Sequence, residues 1–432
     1  MVTFRQFDED LKKKWHGTND KVSVNRSIFV YVSKKKEEQF IKNMFPTEVQ
    51  RQKYFNYRKE WYRRAKEFDP GTYPLSVNVE LVSTCNLACT MCYTITDKFQ
   101  NSVVGAQRMM PWSFVTKIID EAAALGVPSM SFSWRGESTM YRDKDENGKV
   151  KDFADAFAYA RKKGILETTS LTHGQLIDEA LAKKIVLAEP SWISFSIDGM
   201  EETYNKIRTP PTKLKDKSYN AFEKVCSSIK LLDKFKKEYK KTRPSIRTNT
   251  VFPAIQKDPE RYRKHMESLG VDLVTVNEMK DYRYHDLPDV RIQDDWACQY
   301  PFQRLTVSAN GIIIPCAGAY NEEQGLVIGK YKGSQNKVIR DYKGEVVTSN
   351  LDDLSLKEAW LSTRLNEIRE IHKSGRRKEI SPGCKNCHHG AKHHGADHLP
   401  KEWDTEKQQW SLHPILSKKR KYSTRGNQKD SS

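Results

Sequence analysis

No stretch of this chain approaches the roughly 18 to 20 consecutive apolar residues that a membrane-spanning helix requires, and the N-terminus MVTFRQFDEDLKKKW has no apolar signal region. These absences exclude a helical membrane protein and lead to the expectation of a cytoplasmic one. Disulfides are disfavoured in a reducing compartment, so the eight cysteines read as metal or redox groups. Acidic residues are short as well: 56 Asp and Glu stand against 74 Lys and Arg, for a net charge of +18. Residues 1–74 hold 17 basic against 10 acidic residues, and residues 415–432 hold six against one, so most of the excess lies at the two ends. Basic ends attract phosphates of nucleic acid, lipid headgroups or a nucleotide-linked substrate, but a solvated surface with a disordered basic tail explains them more simply. A hydrophobic content of 37% over 432 residues is enough for packed cores in two or three domains.

Seven of the eight cysteines fall into two groups, leaving Cys226 alone at a helical position. The first group, Cys85, Cys89 and Cys92, has the spacing C-x3-C-x2-C. Three thiolates suit an iron-sulfur cluster with one iron left open, because a catalytic metal site keeps a position free where a structural one closes. Taken alone, the spacing also accommodates a zinc knuckle or three buried thiols. The preceding segment, Pro74 to Ser83, alternates polar and apolar residues and is rich in valine, which predicts a strand that delivers the cysteines on its C-terminal loop. In an α/β barrel that end carries the chemistry.

From Pro74 onward strand and helix patterns alternate, the mark of a parallel sheet with right-handed crossovers. Strands are predicted at 77–83, 129–134, 166–172, 192–197, 245–252 and 273–277, and helices at about 111–125, 152–163, 177–188, 219–239 and 259–269. Ahead of them lie a strand over 27–33 and an aromatic helix over 48–68, ended by Asp69-Pro70-Gly71 and expected to act as a lid or brace on the barrel. Six strand-helix units make a partial barrel, and an open side leaves room for a large substrate.

The cysteine loop resembles the signature of the radical S-adenosylmethionine (SAM) enzymes, and PLSVNVELVSTCNLACTMC is similar to members with a C-terminal SPASM or twitch extension. The resemblance implies a partial (β/α)6 TIM-like barrel with a C-terminal SPASM/twitch α+β domain. It also implies a 4Fe-4S cluster on Cys85, Cys89 and Cys92 that chelates SAM, and a 5'-deoxyadenosyl radical that abstracts hydrogen from substrate. Met91 holds a position often aromatic in the family; a backbone contact to adenine survives that change, while stacking weakens. Trp134-Arg135-Gly136-Glu137 is similar to the Gly-Gly-Glu motif for the SAM amino group, with Arg135 replacing a glycine. Thr172-His173-Gly174 resembles a Thr-Asn-Gly turn, with His173 reaching SAM or substrate or bonded locally. Ser196 and Asp198 match a Ser-x-Asp-Gly strand end suited to the SAM carboxylate or ribose, and Arg208 follows on a helix that can meet a carboxylate. Val251 is read as core or as adenine-pocket lining.

The second group comprises Cys298, Cys316, Cys384 and Cys387. Asn310-Gly311 marks a hairpin, and the Gly311-x4-Cys316 spacing resembles the SPASM signature, with a helix expected over 355–373. Full SPASM domains carry further cysteines; here His393 occupies the next expected position, so the four thiols imply a second, auxiliary 4Fe-4S cluster with no open iron. A four-cysteine zinc site fits the same spacing. His388, His389, His393, His394 and His398 read as a solvated loop or an adventitious metal site.

The expected domains are an N-terminal helical extension (1–74), the partial barrel (75–290), the auxiliary-cluster domain (291–398) and a basic, disordered tail (399–432). The resemblance implies an oxidoreductase that oxidises or epimerises a carbinol of a sugar, cyclitol or nucleotide-linked sugar. Its partners would be a small-molecule substrate, phosphorylated or nucleotide-linked forms included, and a reductant such as flavodoxin or ferredoxin. Peptide or protein maturation is the alternative, although residues 1–74 do not spell out a peptide-recognition module. A nucleic-acid-binding iron-sulfur protein rests on the basic ends alone.

Overall fold

The computed structural model describes residues 22–23, 29–30, 39, 41–95, 99, 109–208, 210, 219–255, 257–277, 297–316, 325–334, 339–340, 346–348, 351–380, 383–385, 387, 403–404 and 409–410. Six parallel strands pair in sequence order: β1 (Ser76–Val79), β2 (Ser129–Ser131), β3 (Glu167–Thr172), β4 (Trp192–Ser196), β5 (Ser245–Val251) and β6 (Leu273–Asn277). Between them run α2 (Trp112–Ala124), α3 (Phe153–Lys162), α4 (Glu179–Ala188), α5 (Glu201–Ile207), α6 (Ala221–Glu238) and α7 (Pro259–Ser268). Side chains of one parity on the strands, such as Val77, Met130, Ile193 and Val274, join Val115, Phe157, Ile185 and Ile229 of the helices in one apolar core. The other parity is largely polar, with Leu171 and Leu273 among the exceptions, and lies on the opposite, concave side: Asn78, Ser131, Thr169, Ser194 and Asn249. Among the described residues, no helix is long and apolar enough to cross a membrane.

Strand pairing stops early at β1 because residues 81–82 turn to residues 109–110. Val82 bridges Met109 antiparallel, and Met110 N donates to Leu81 O at 2.8 Å. The sheet then continues past the sixth unit. Strand β7 (Arg304–Val307) lies parallel to β1 on its free side, followed by β8 (Ile312–Ile314), β9 (Gly329–Tyr331) and β10 (Asp353–Leu354), while Phe29–Val30 pairs antiparallel with β6 at the far edge. The C-terminal region thus shares one hydrogen-bonded sheet with the barrel. The β7–β8 connection turns at Gly311, whose φ of +85° suits glycine, in the place Asn310-Gly311 predicts.

Helix α1 (Glu48–Glu67) opens with a Thr47/Gln50 capping box and ends at Phe68 in the left-handed region. Its Tyr54, Tyr57 and Trp61 bury against Leu75, Leu166 and Trp192, at the N-terminal starts of β1, β3 and β4. The helix therefore braces the floor of the barrel, at the end away from the cysteine loop. The pattern over 355–373 predicts one helix; the structure has two, α8 (Leu356–Leu361) and α9 (Thr363–Lys373). Ser362 is extended (φ −63°, ψ 150°), and its hydroxyl accepts from Leu365 N at 3.2 Å, so local capping ends one helix and starts the next. Within the stretch expected to be a disordered tail, Trp403–Asp404 pairs antiparallel with Gln409–Trp410, the register setting Trp403 opposite Trp410. The rest of that tail and the five histidines lie outside the described residues.

Candidate active site

The cysteine loop leaves the C-terminal end of β1 and is held from two sides. Thr90 N donates to Ile207 O at the end of α5 (3.1 Å), and Cys92 N donates to Cys89 O (2.9 Å). Below it, Gly136 (φ +67°) presses on the main chain of residues 82–84; a Cβ there would meet Ser83 C at 2.5 Å and Val82 O at 2.6 Å. Glycine at 136 is therefore a packing requirement of the loop floor. Cys89 is buried, Cys85 and Cys92 half-buried, and all three are free thiols. Burial pushes Cys85 far up, with the Glu137 charge adding to it. Burial also pushes Cys89 up, to about 11, against the pull of the Arg208 guanidinium. A coordinated metal removes that proton outright. Leu87 N already points at Cys85 Sγ (3.4 Å), and Thr94 Oγ1 lies 2.9 Å from Cys92 Sγ.

Glu137 is the hub beside this loop. Its Oε1 accepts from Thr139 N (3.1 Å), Thr139 Oγ1 (2.6 Å) and Thr172 Oγ1 (2.5 Å), and its Oε2 accepts from His173 N (2.8 Å). Burial would raise its pKa; His173 and the threonine donors outweigh that and hold it below the usual carboxylate range. His173 is buried beside Glu137, its Nε2 lying 3.5 Å from Oε2. Its Nδ1 accepts from Gln175 N (3.0 Å), which leaves the proton on Nε2, and Nε2 meets Asn86 Oδ1 of the cysteine loop at 2.9 Å. Burial lowers the His173 pKa and favours this neutral form. The turn thus joins Glu137 to the cysteine loop.

Asp198 is buried after β4, where Oδ1 accepts from Val251 N (3.1 Å) and Oδ2 from Arg208 Nε (2.7 Å). Arg208 Nη1 lies 4.0 Å from Cys89 Sγ. Ser196, half-buried on the concave face, makes no side-chain hydrogen bond among the described residues, and Met91 and Val251 are half-buried nearby in sequence and sheet order. The structure therefore brings Gly136, Glu137 and Thr172 into one bonded cluster with the loop and pairs Asp198 with Arg208.

A further ion pair escapes sequence reading. Glu80, fully buried, takes a bidentate contact from Arg135 Nε and Nη2 at 2.7 Å each, and its Oε2 also accepts from Ala309 N (2.9 Å) beyond β7. Arg135, the residue replacing a motif glycine, also stacks 3.9 Å over Trp134. The signal was the acid in Val77-Asn78-Val79-Glu80, at a position whose parity places it inside the sheet. Asn86 and His372 were also missed, and nothing local in the sequence marks them.

In the second group, Cys298 and Cys384 are buried and Cys316 and Cys387 half-buried. Burial drives Cys298 and Cys384 well above the ordinary thiol range, and the neighbouring thiols add to it. The strand Ala297–Cys298 pairs with Val22–Ser23, Cys298 N donates to His372 Nδ1 (3.3 Å), and Tyr300 N points at Cys298 Sγ (3.5 Å). Burial, then the charge of Arg377, lowers His372 to about 4.

Both thiol sets fit an iron-sulfur cluster by their donors: free sulfurs that feel one another's charge and receive backbone N–H groups, the usual environment of cluster ligands. Among the described residues, no three His, Cys, Asp or Glu side chains converge on one ion-sized position; a cluster takes each thiolate at a different iron.

Comparison with known proteins agrees. Residues 79–234 match the radical SAM superfamily and residues 298–388 the iron-sulfur cluster-binding SPASM domain. The chain is 35% identical over 124 residues to an Fe-coproporphyrin III synthase of Methanosarcina barkeri, covering 29% of this chain and 27% of that protein. It is 28% identical over 174 residues to a serine-type anaerobic sulfatase-maturating enzyme of Bacteroides thetaiotaomicron, covering 40% and 39%. The chain thus matches less than half the length of either curated relative. Similar solved structures include anSMEcpe with bound AdoMet (TM-score 0.48, 16% identity, 73% of this chain and 90% of that one). Another is BtrN in complex with AdoMet and 2-DOIA (TM-score 0.41, 13% identity, 72% and 92%). With one domain ahead of the other in a continuous sheet, the chain belongs to the radical SAM superfamily and carries a SPASM iron-sulfur domain behind its barrel.

Proposed function

We propose that this enzyme abstracts hydrogen from a polyhydroxylated small molecule, oxidising or epimerising a carbinol carbon. A radical SAM domain carries a 4Fe-4S cluster and SAM, and a SPASM domain carries auxiliary iron-sulfur chemistry. When bound, these groups supply reductive cleavage of SAM, the hydrogen-abstracting radical and a one-electron store.

In this reading Cys85, Cys89 and Cys92 hold the first cluster and leave one iron for SAM. Glu137, fixed by four hydrogen bonds, presents a constant negative charge to the SAM ammonium, with Gly136 allowing close main-chain approach and Thr172 bracing the carboxylate. Ser196, Asp198 and Arg208 stand on the side suited to the SAM carboxylate and ribose, and Met91 offers its main chain to adenine. Cys298, Cys316, Cys384 and Cys387 hold the second cluster with all irons ligated, which suits electron transfer.

The observation that carries the substrate class is the concave face of the sheet. Ser131, Ser194, Ser196, Asn249 and Thr275 occupy facing positions on β2, β4, β5 and β6. Ser196, Asn249 and Thr275 are half-buried, and Leu171 beside them on β3 is 41% exposed, so this wall is accessible at the end where the cysteines sit. Hydroxyl and amide groups of this kind satisfy a polyol's hydrogen bonds, where a packed barrel would present branched apolar layers.

Peptide or protein maturation is the second reading, favoured by the resemblance to the sulfatase-maturating enzyme. One experiment separates the two. The reconstituted enzyme is incubated anaerobically with SAM, reductant and extract from cells grown in deuterated medium, and deuterium is measured in the 5'-deoxyadenosine. Label drawn from the small-molecule fraction supports a polyol substrate. Label drawn from the macromolecular fraction alone overturns it in favour of maturation.

A further inference from the structure

Arg208 occupies a more constrained place than a ligand-binding side chain needs. It caps α5, its own amide donating to Tyr204 O at 2.8 Å, while its carbonyl accepts from Gln175 Nε2 at 3.3 Å. Nε is committed to Asp198 Oδ2 at 2.7 Å, and Asp198 is pinned by Val251 N at 3.1 Å. One residue earlier, Ile207 O receives Thr90 N at 3.1 Å, so the end of α5 and the cysteine loop are joined through the main chain. Through this joint Nη1 comes to 4.0 Å from Cys89 Sγ, the outer reach of an N–H···S contact. The neighbours of the other two thiols differ: Cys85 Sγ receives Leu87 N, and Cys92 Sγ meets the Thr94 hydroxyl.

We propose that Arg208 is a positioning residue for the cluster, donating an N–H to the Cys89 thiolate and holding the reduction potential of the SAM-binding cluster up. The inference rests on the reading that Cys85, Cys89 and Cys92 carry that cluster. Reduction adds one negative charge to the cluster. A guanidinium about 4 Å from a ligating sulfur stabilises the reduced form more than the oxidised one, and hydrogen bonds to the sulfurs together with local charge are what set such potentials. Asp198, on the far side of the guanidinium, acts with the opposite sign. An Arg208 side chain that turned away from Cys89 to meet only the SAM carboxylate would leave the potential of SAM-free enzyme unaffected.

The test uses the full chain, anaerobically reconstituted, with R208Q, R208K and D198N beside wild type. Iron content is measured first. The cluster whose EPR signal responds to added SAM is then titrated electrochemically in enzyme without SAM. R208Q is expected to lower the midpoint potential, R208K to recover part of the loss because it keeps charge without the planar fork, and D198N to raise it. An iron-replete R208Q with an unmoved potential overturns the proposal, as does a D198N shift of the same sign as R208Q. Should R208Q fail to take up iron, the opposed signs expected of R208K and D198N decide the question. Wild type that holds no SAM-responsive cluster overturns the cluster reading itself, a different outcome from an unmoved potential.

Discussion

Cys85, Cys89 and Cys92 hang from the end of a parallel strand amid charged groups, Glu137 on one side and the Asp198–Arg208 pair on the other, and two of them are half-buried. In the second group Cys298 and Cys384 are likewise buried and Cys316 and Cys387 half-buried, but the surroundings differ: the strand pair with Val22–Ser23 and the His372 ring lie beside Cys298, and the Arg377 charge acts on Cys384. The two sites are alike in burial and differ in electrostatics: the first lies between a carboxylate and an ion pair, the second beside an imidazole and a guanidinium. In the proposed reading the first set holds the cluster that binds SAM and the second a cluster that passes electrons.

Breaking either site should therefore have different consequences. The largest effect is expected at the first: alanine at Cys85, Cys89 or Cys92 abolishes SAM cleavage while iron at the second site stays, as measured by 5'-deoxyadenosine formation and iron content. Removing Cys384 and Cys387 should instead leave uncoupled SAM cleavage in place and stop substrate turnover; turnover surviving the double variant would show that the second cluster is not an obligatory electron acceptor. Between the sites lies Glu80, which bonds Arg135 beside the first and Ala309 on the way to the second. E80Q strands a buried guanidinium and should cost about 3–5 kcal/mol of stability in denaturant titrations, whereas the paired change E80M/R135M should recover most of it. The smallest effect is expected from S362A, which removes the cap of α9 beside the second site and should cost about 1 kcal/mol without altering either cluster.

Much of the first site was legible locally. The C-x3-C-x2-C spacing, the strand before it and the Arg-Gly-Glu and Ser-x-Asp strand ends lie within short windows, and period-two and 3.6-residue patterns located the six strands and their helices to within a few residues. What escaped was the pairing of side chains distant in sequence. Nothing near His173 indicates that it turns inward to Asn86, 87 positions away, and nothing near Asp198 says that its carboxylate also takes the Val251 amide, 53 positions away. The split of residues 355–373 at Ser362 was missed because a serine inside an amphipathic run can be a surface residue or a cap, and periodicity does not distinguish them.

By itself the sequence determined the cofactor class and the alternation of strand and helix, because cysteine spacing and hydrophobic period are set by neighbours a few residues apart. The tertiary structure alone decided that the C-terminal strands extend the barrel's own sheet through β7, that α1 lies under the floor and not over the mouth, and that Arg208 reaches Cys89. Each of these depends on which surfaces find each other once the chain is compact. Burial and hydrogen-bond satisfaction across tens to hundreds of residues settle that choice, and no local pattern encodes it.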